Sequence, residues 1–332
     1  MRALHHIGYG DPAQVVKLVT LPDPVPGPGE IVVRMEAAAI HIADIKNFTG
    51  AREGGEKSLP RIPGYEGIGR ITAVGPNVSQ FKVGDRVFPW WGAGTFAEHV
   101  CTTAEKALPA PEGDAVQLSL MLVNGMTAVI LLEDFRPLKA GDWLVQNGAN
   151  SNCGRYLIVL AKERGIRTCN IVRRPEVVDE LKALGADAVI FDSDDPIEFA
   201  KRVRLATHDA PVTLGLDMIA GAASGRMARC VSDGGIVVNY GFMSGQPSQI
   251  PFHEMFQKDI TFVGMSAGRG MAKRNMAQLR DTYAKLAAMI AKGQLHAAIA
   301  GTYTLDHAAD AFGHAAKTGA ERDGKVILLP NG

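Results

Sequence analysis

The chain of 332 residues carries 35 Lys plus Arg against 35 Asp plus Glu, a formal net charge of +0, so it has no field with which to recruit nucleic acid or an anionic membrane. Its length holds two cores, while its longest apolar runs, such as Met126 to Leu132, fall far short of a membrane-spanning helix. Met1-Arg2-Ala3-Leu4-His5-His6 reads as the start of structure rather than a signal peptide, and a cytoplasmic two-domain protein is expected.

The first 119 residues are punctuated by Pro22, Pro24, Pro26 and Pro28 and by glycines between valine-rich or isoleucine-rich runs. That grammar predicts β-rich, mostly antiparallel construction. Strands are expected over Ile31 to Ala37, Gly69 to Gly75, Asp85 to Phe88 and Thr95 to Val100. Four cysteines, Cys101, Cys153, Cys169 and Cys230, stand without C-x-x-C spacing and read as buried or turn thiols.

From about Leu120 the pattern changes to short apolar strands alternating with helical stretches. Leu144-Val145 carries a strand, Gly148 to Asn152 supply small or turn-forming residues, and Arg155 to Lys162 has the apolar spacing of a helix. A strand, a turn and a helix N-terminus in that order form a site for the pyrophosphate of a dinucleotide. The glycines are thin, because a full G-x-G-x-x-G places glycine where Asn152 stands, and an ordinary strand-to-helix loop has the same outline. The next strand, Ile166 to Val172, ends on Arg173-Arg174 rather than on an acidic residue. A free ribose 2′-hydroxyl is usually held there by Asp or Glu, whereas a 2′-phosphate suits guanidinium forks, so NADPH is favoured over NADH unless the arginines are simply solvated.

Further strands are expected at Leu184 to Phe191, Val212 to Met218, Gly235 to Gly241 and Ile260 to Gly264, with helices at Glu176 to Leu184 and Ala222 to Val231 between them. The alternation predicts an α/β architecture with a doubly wound parallel Rossmann sheet over residues 120–271. A long helix, Met276 to Lys292, a helical segment at Ala308 to Ala315 and a last strand, Gly324 to Leu329, form a tail expected to return to the first domain. The second domain is thus built from both chain ends, 1–119 and 272–332.

Pro63-Gly64-Tyr65-Glu66-Gly67-Ile68-Gly69, Val74-Gly75-Pro76-Asn77-Val78, Phe81-Lys82-Val83-Gly84-Asp85-Arg86-Val87 and Leu184-Gly185-Ala186-Asp187 resemble the medium-chain dehydrogenase/reductase superfamily over nearly the whole chain. Gln146-Asn147, Asn150 to Gly154 and Asn170 to Pro175 are most similar to its zinc-independent branch of quinone oxidoreductases and 2-enoyl thioester reductases, which usually has glycine and valine where this chain has Asn152 and Cys153. The resemblance implies that the β-rich domain is GroES-like and catalytic. It also implies that the zinc-ligand positions of metal-dependent relatives fall on His41, Tyr65 and Asn124. An imidazole, a phenol and an amide make a poor Zn²⁺ site, so no metal is expected.

Metal-free hydride transfer needs an electron-poor carbon held near the nicotinamide and a donor for the oxygen that gains charge. A quinone or an α,β-unsaturated carbonyl suits that chemistry. The enoyl reductases place a catalytic tyrosine close to the position of Arg52, where this chain has none nearby; Arg52 either donates to the substrate oxygen or binds solvent on a loop. Tyr65 is the other candidate catalytic donor, or else a structural tyrosine of the cleft. Asn47, Trp90 and Trp91 line the substrate cleft or pack an interdomain loop.

For the cofactor, the resemblance implicates Asn150, Ser151, Asn152, Cys153 and Gly154 at the phosphate turn, with Arg173 and Arg174 at the 2′-phosphate. It further implicates Thr127 beside the carboxamide, Tyr240, Gly241 and Met243 near the adenine side or phosphate, Met265 near the nicotinamide, and Lys325 toward the 2′-phosphate end. Each has a structural alternative: Thr127 as a cap, Met265 as core, Lys325 on a solvated turn. The expected function is an NADPH-dependent reductase of quinones or unsaturated carbonyls. The alternative is a non-catalytic NADPH-binding protein, crystallin-like or regulatory. A homodimer through the edge strand Ile260 to Gly264 is expected.

Overall fold

The computed structural model describes residues 1–50, 58–317, 319–322 and 324–332. Strand β1 (Arg2–His6) pairs antiparallel with β2 (Val16–Thr20), Leu4 opposite Leu18. An eleven-residue strand, β3 (Glu30–Ile40), is the spine of the next sheet. It pairs antiparallel with β4 (Gly67–Val74) and with β6 (His99–Thr103), while β5 (Arg86–Phe88) joins β4 to β7 (Leu108–Pro109). Ile31, Val33 and Met35 on β3 bury their side chains against Ile71, Val87 and Val100. Each such burial contributes about 1.5–3 kcal/mol relative to an exposed side chain, which makes the alternation of β3 decide its register.

Strand β6 begins later than its sequence suggests. Thr95, Phe96 and Ala97 are buried, but their backbone is committed elsewhere: the Leu4 amide donates to Phe96 O at 2.9 Å and the Phe96 amide to Pro63 O at 3.0 Å. Gly94, at φ +81°, turns the chain away from β3 just before them.

The second sheet comprises β8 (Trp143–Gln146), β9 (Arg167–Val172), β10 (Ala188–Phe191), β11 (Val212–Asp217), β12 (Ile236–Asn239) and β13 (Thr261–Gly264). All neighbours are parallel, in the order β10-β9-β8-β11-β12-β13. Strand β10 is shorter than expected because Leu184 ends a helix, Val178–Leu184, which Gly185 caps in the left-handed conformation at φ +107°. The helix between β10 and β11, Pro196–Thr207, starts where Asp195 accepts from the amides of Ile197 (2.8 Å) and Glu198 (3.3 Å) with Pro196 in the first turn.

The chain then supplies β14 (Ile299–Tyr303) and β15 (Lys325–Leu328). Strand β15 pairs antiparallel with β3, Ile327 opposite Ala39, and parallel with β14, so the C-terminal end completes the first sheet. The chain divides into two compact units, Met1–Val123 with Asn275–Gly332, and Asn124–Arg274. The first is β-rich and mostly antiparallel, and the second is a doubly wound, parallel Rossmann unit. No helix among the described residues is long and apolar enough to cross a membrane.

Candidate functional site

In the Rossmann unit the chain moves from β8 outward to β9 and β10, then returns to β11 on the other side of β8. That reversal opens a crevice at the C-terminal ends of β8 and β11, where open α/β sheets bind ligands. Gly148 begins the turn there at φ +59°, and a Cβ on it would lie 2.4 Å from Met218 Cε. Ser151 caps the helix Asn152–Glu163, its hydroxyl accepting from the Gly154 amide at 3.1 Å. A Cβ on Gly154 would lie 2.5 Å from Ala149 O, so the close approach of helix and turn falls at Gly154. Asn152, standing where glycine is usual, has both side-chain polar atoms buried with no hydrogen-bond partner. Cys153 is buried beside it.

The loops after β12 and β13 are tied back to β11, its loop and β12. The Tyr240 amide donates to Asp217 O at 2.9 Å, the Met243 amide to Met218 O at 3.3 Å, and the Met265 amide to Asn239 O at 2.8 Å. Gly241 passes so close to Met218 that a Cβ would lie 2.3 Å from Met218 O. The Tyr240 hydroxyl is buried without a hydrogen-bond partner; burial pushes it well above the ordinary phenol range, helped by Cys153 and Asp217. Because β8 and β9 run parallel with Gln146 opposite Asn170, exposed Arg173 and half-buried Arg174 leave β9 at the same sheet edge as the turn after β8. Thr127 is buried as the first residue of the helix Thr127–Glu133, which continues a π-helical stretch, Met121–Met126, and packs against Asn152–Glu163.

In the β-rich unit the site forms where β3 ends. His41 and Asp44 cap the helix Ile42–Phe48 reciprocally, with the His41 amide donating to Asp44 Oδ2 at 2.9 Å. The His41 ring, 4% exposed, hydrogen-bonds through Nε2 to the carboxylate of Glu66, 2% exposed. The other Glu66 oxygen accepts from the Val123 amide at 2.8 Å. Burial holds the imidazolium of His41 below its ordinary range; Glu66 opposes that, while Lys325 and Arg322 reinforce it. Lys325, at the start of β15, thus belongs to the His41 neighbourhood of this unit, whereas Arg173 and Arg174 belong to the other.

Tyr65 is buried one residue before Glu66. Asn47 Nδ2 donates to its phenolic oxygen at 2.6 Å, and the Trp91 ring lies 4.8 Å away, tilted by 40°. The fold therefore brings Asn47, Tyr65 and Trp91 together, while Trp90 is half-buried and its carbonyl accepts from the Ala93 amide at 3.1 Å. Arg52 lies outside the described residues. Asn124, 4% exposed, sits in the π-helical stretch. Among the described residues no three His, Cys, Asp or Glu side chains cluster as a metal site.

Sequence reasoning passed over Glu66, Asp217 and Asn147. An acidic residue in an apolar run, as in Tyr65-Glu66-Gly67-Ile68 or Leu214-Gly215-Leu216-Asp217, was the available signal that each has a buried partner.

Two buried histidines give the unit a pH dependence. Burial lowers both His41 and His6, the latter wholly buried between Tyr9 and Phe48, with Arg61 adding to the effect at His6. Once unfolded, both protonate near pH 6.5. The unfolded chain therefore takes up more protons as pH falls through that value, and stability falls with it. Melting temperature should drop between pH 7.5 and 5.5, and His6→Phe should flatten part of that slope; an unchanged slope in the variant would contradict the assignment.

The chain thus combines a doubly wound parallel sheet, whose turn after β8 runs into a helix capped by Ser151, with a mostly antiparallel unit built from both chain ends. The alcohol dehydrogenase GroES-like domain model matches residues 27–112, and the zinc-binding dehydrogenase model matches residues 153–292. The mitochondrial enoyl-[acyl-carrier-protein] reductase of Rattus norvegicus is 32% identical over 304 residues, 90% of this chain and 80% of that protein. Its Caenorhabditis elegans counterpart is 33% identical over 89% of this chain and 86% of that protein. Among solved structures, a mycobacterial quinone oxidoreductase aligns at TM-score 0.86 with 26% identity, covering 99% of this chain and 100% of that chain; a mycobacterial structure in complex with NADPH has the same values. The chain belongs to the medium-chain dehydrogenase/reductase superfamily, in the branch of quinone oxidoreductases and 2-enoyl thioester reductases, and is an oxidoreductase.

Proposed function

We propose that this chain is an NADPH-dependent reductase that acts on a quinone or an α,β-unsaturated carbonyl, enoyl thioesters included, without a metal. The observation that carries the reading is the phosphate turn after β8 with Arg173-Arg174 at the end of the adjacent strand. The residues present suit the cofactor. Gly154 lets the helix close on Ala149 of the turn and Gly241 lets the β12 loop close on Met218, the capped helix turns its first amides toward the crevice, and the buried, unpartnered amide of Asn152 supplies a donor for the pyrophosphate. The arginines would hold the 2′-phosphate, and the mycobacterial neighbour solved with NADPH supports the choice.

Bound NADPH supplies the hydride. The protein's own task is to orient the acceptor, exclude water and stabilise the acceptor oxygen as it gains negative charge. Tyr65 is the donor in this reading, its phenol oriented by Asn47 and its ring by Trp91. Arg52 remains a second candidate. Zinc does not suit the donor set: His41 is engaged with Glu66, and Tyr65 and Asn124 offer a phenol and an amide.

A homodimer belongs to the same proposal, since β13 is an edge strand and the adjoining helix Phe252–Lys258 exposes a stacked aromatic pair, Phe252 and Phe256, with centroids 5.2 Å apart. So does a cytoplasmic setting, which suits the four free cysteines. The test is NADPH oxidation against a panel of quinones, enones and a crotonyl thioester. At least one class should turn over, and binding without oxidation of any acceptor would reject the enzymatic reading.

A further inference from the structure

We propose that Asp217 is the positioning residue of the dinucleotide crevice, fixing the loops after β8, β11 and β12 in one arrangement; the proposal rests on the reading of that crevice as the NADPH site. Asp217 ends β11 and is wholly buried. Its Oδ1 accepts from Asn147 Nδ2 at 2.7 Å and from the amides of Ile219 and Ala220 at 3.0 and 3.1 Å. Its Oδ2 accepts from Ser224 Oγ at 2.6 Å and from Asn239 Nδ2 at 3.1 Å. All five donors are neutral.

Each donor belongs to a segment that shapes the crevice. Asn147 opens the phosphate turn, and its own Oδ1 accepts from the Met218 amide at 2.7 Å, so turn and β11 loop are tied twice through side chains. Ile219 and Ala220 lead into the helix Ala222–Cys230, and Ala220 is held at φ +66°, a conformation unfavourable for a residue with a Cβ. Asn239 ends β12 immediately before Tyr240 and Gly241. The carboxylate therefore lies at the topological switch point and reaches three of the loops assigned to the cofactor.

Its charge makes the role testable by sign. A buried negative charge opposes a nearby anionic ligand, so Asp217 favours NADPH only through the geometry it imposes. Asp217→Asn removes the charge and puts an NH₂ in place of one oxygen: at Oδ1 it meets only donors, Asn147 Nδ2 and the amides of Ile219 and Ala220, and at Oδ2 it meets Asn239 Nδ2 and Ser224, whose hydroxyl must turn round to accept. If charge dominated, NADPH would bind more tightly to the variant. If Asp217 served stability alone, the folded protein would bind as before.

The positioning role predicts weaker binding, on the order of 10-fold to 100-fold, measured by calorimetric titration of the full chain with NADPH well below the melting temperature. Binding stoichiometry should stay unchanged, and KM for NADPH should rise more than kcat falls. An unchanged or tighter Kd in the variant overturns the proposal. Should Asp217→Asn not fold, Asn147→Ala, which removes both side-chain ties between the turn and the β11 loop and puts no donor against Asp217, decides in the same assay: weaker binding supports the role and an unchanged Kd overturns it. If the unaltered protein does not bind NADPH, the functional reading itself fails and takes this proposal with it, whereas unaltered binding beside an unaffected variant removes this proposal alone.

Discussion

Replacing Tyr65 with phenylalanine should lower kcat by about a hundredfold to a thousandfold while leaving the Kd for NADPH within about twofold. The substitution keeps the ring against Trp91 and removes only the oxygen that Asn47 orients, so the β-rich unit should fold and melt much as before. What is lost is the donor to the acceptor oxygen, an interaction that strengthens as charge develops and therefore appears in kcat. Steady-state kinetics with a reactive quinone or enone would measure it. A loss of less than about threefold would remove Tyr65 from the chemistry and leave Arg52 as the remaining candidate.

The double substitution Arg173→Ala with Arg174→Ala should weaken NADPH by on the order of a hundredfold or more and NADH by only a few-fold, because each charge-assisted hydrogen bond to the 2′-phosphate contributes about 1.5–3 kcal/mol. Both residues follow β9 and neither lies in the sheet core, so the fold should tolerate the change. Fluorescence titration with both cofactors gives the ratio. Equal losses for NADPH and NADH would reject the 2′-phosphate clamp.

How much of this was legible in the sequence followed the range of the interactions. Strands buried by neighbours on both sides, such as Val212–Asp217 and Ile236–Asn239, read as apolar runs, and the helix Asn152–Glu163 showed its period directly. Gly185 and the Asp195-Pro196 start were local signals too, but their consequences, a shortened β10 and the exact start of the helix Pro196–Thr207, depend on cap geometry rather than hydrophobic pattern. Strand β14 was illegible because Ile299–Tyr303 is only half-buried and carries Gly301 where a strand prefers a side chain.

The site was legible in its chain-local parts and not in its long-range ones. The turn proposed to hold phosphate, Ser151 and the two arginines lie within one βαβ unit. Glu66 reaches His41 across 25 positions and Asp217 reaches Asn147 across 70, and no local pattern encodes either partner. At Asn152 the reason is spatial as well: the close helix contact falls on Gly154, so the position where glycine is usual tolerates a side chain.

The most direct measurement is NADPH oxidation by chelator-treated protein whose metal content has been determined, with quinone, enone and crotonyl thioester acceptors in parallel. Sustained turnover of at least one acceptor class, with zinc far below one per chain and no stimulation by added zinc, is the expected result. Loss of activity on chelation that zinc restores would contradict the proposed metal-free site at His41, Glu66 and Tyr65, and NADPH binding without oxidation of any acceptor would contradict the proposed reductase.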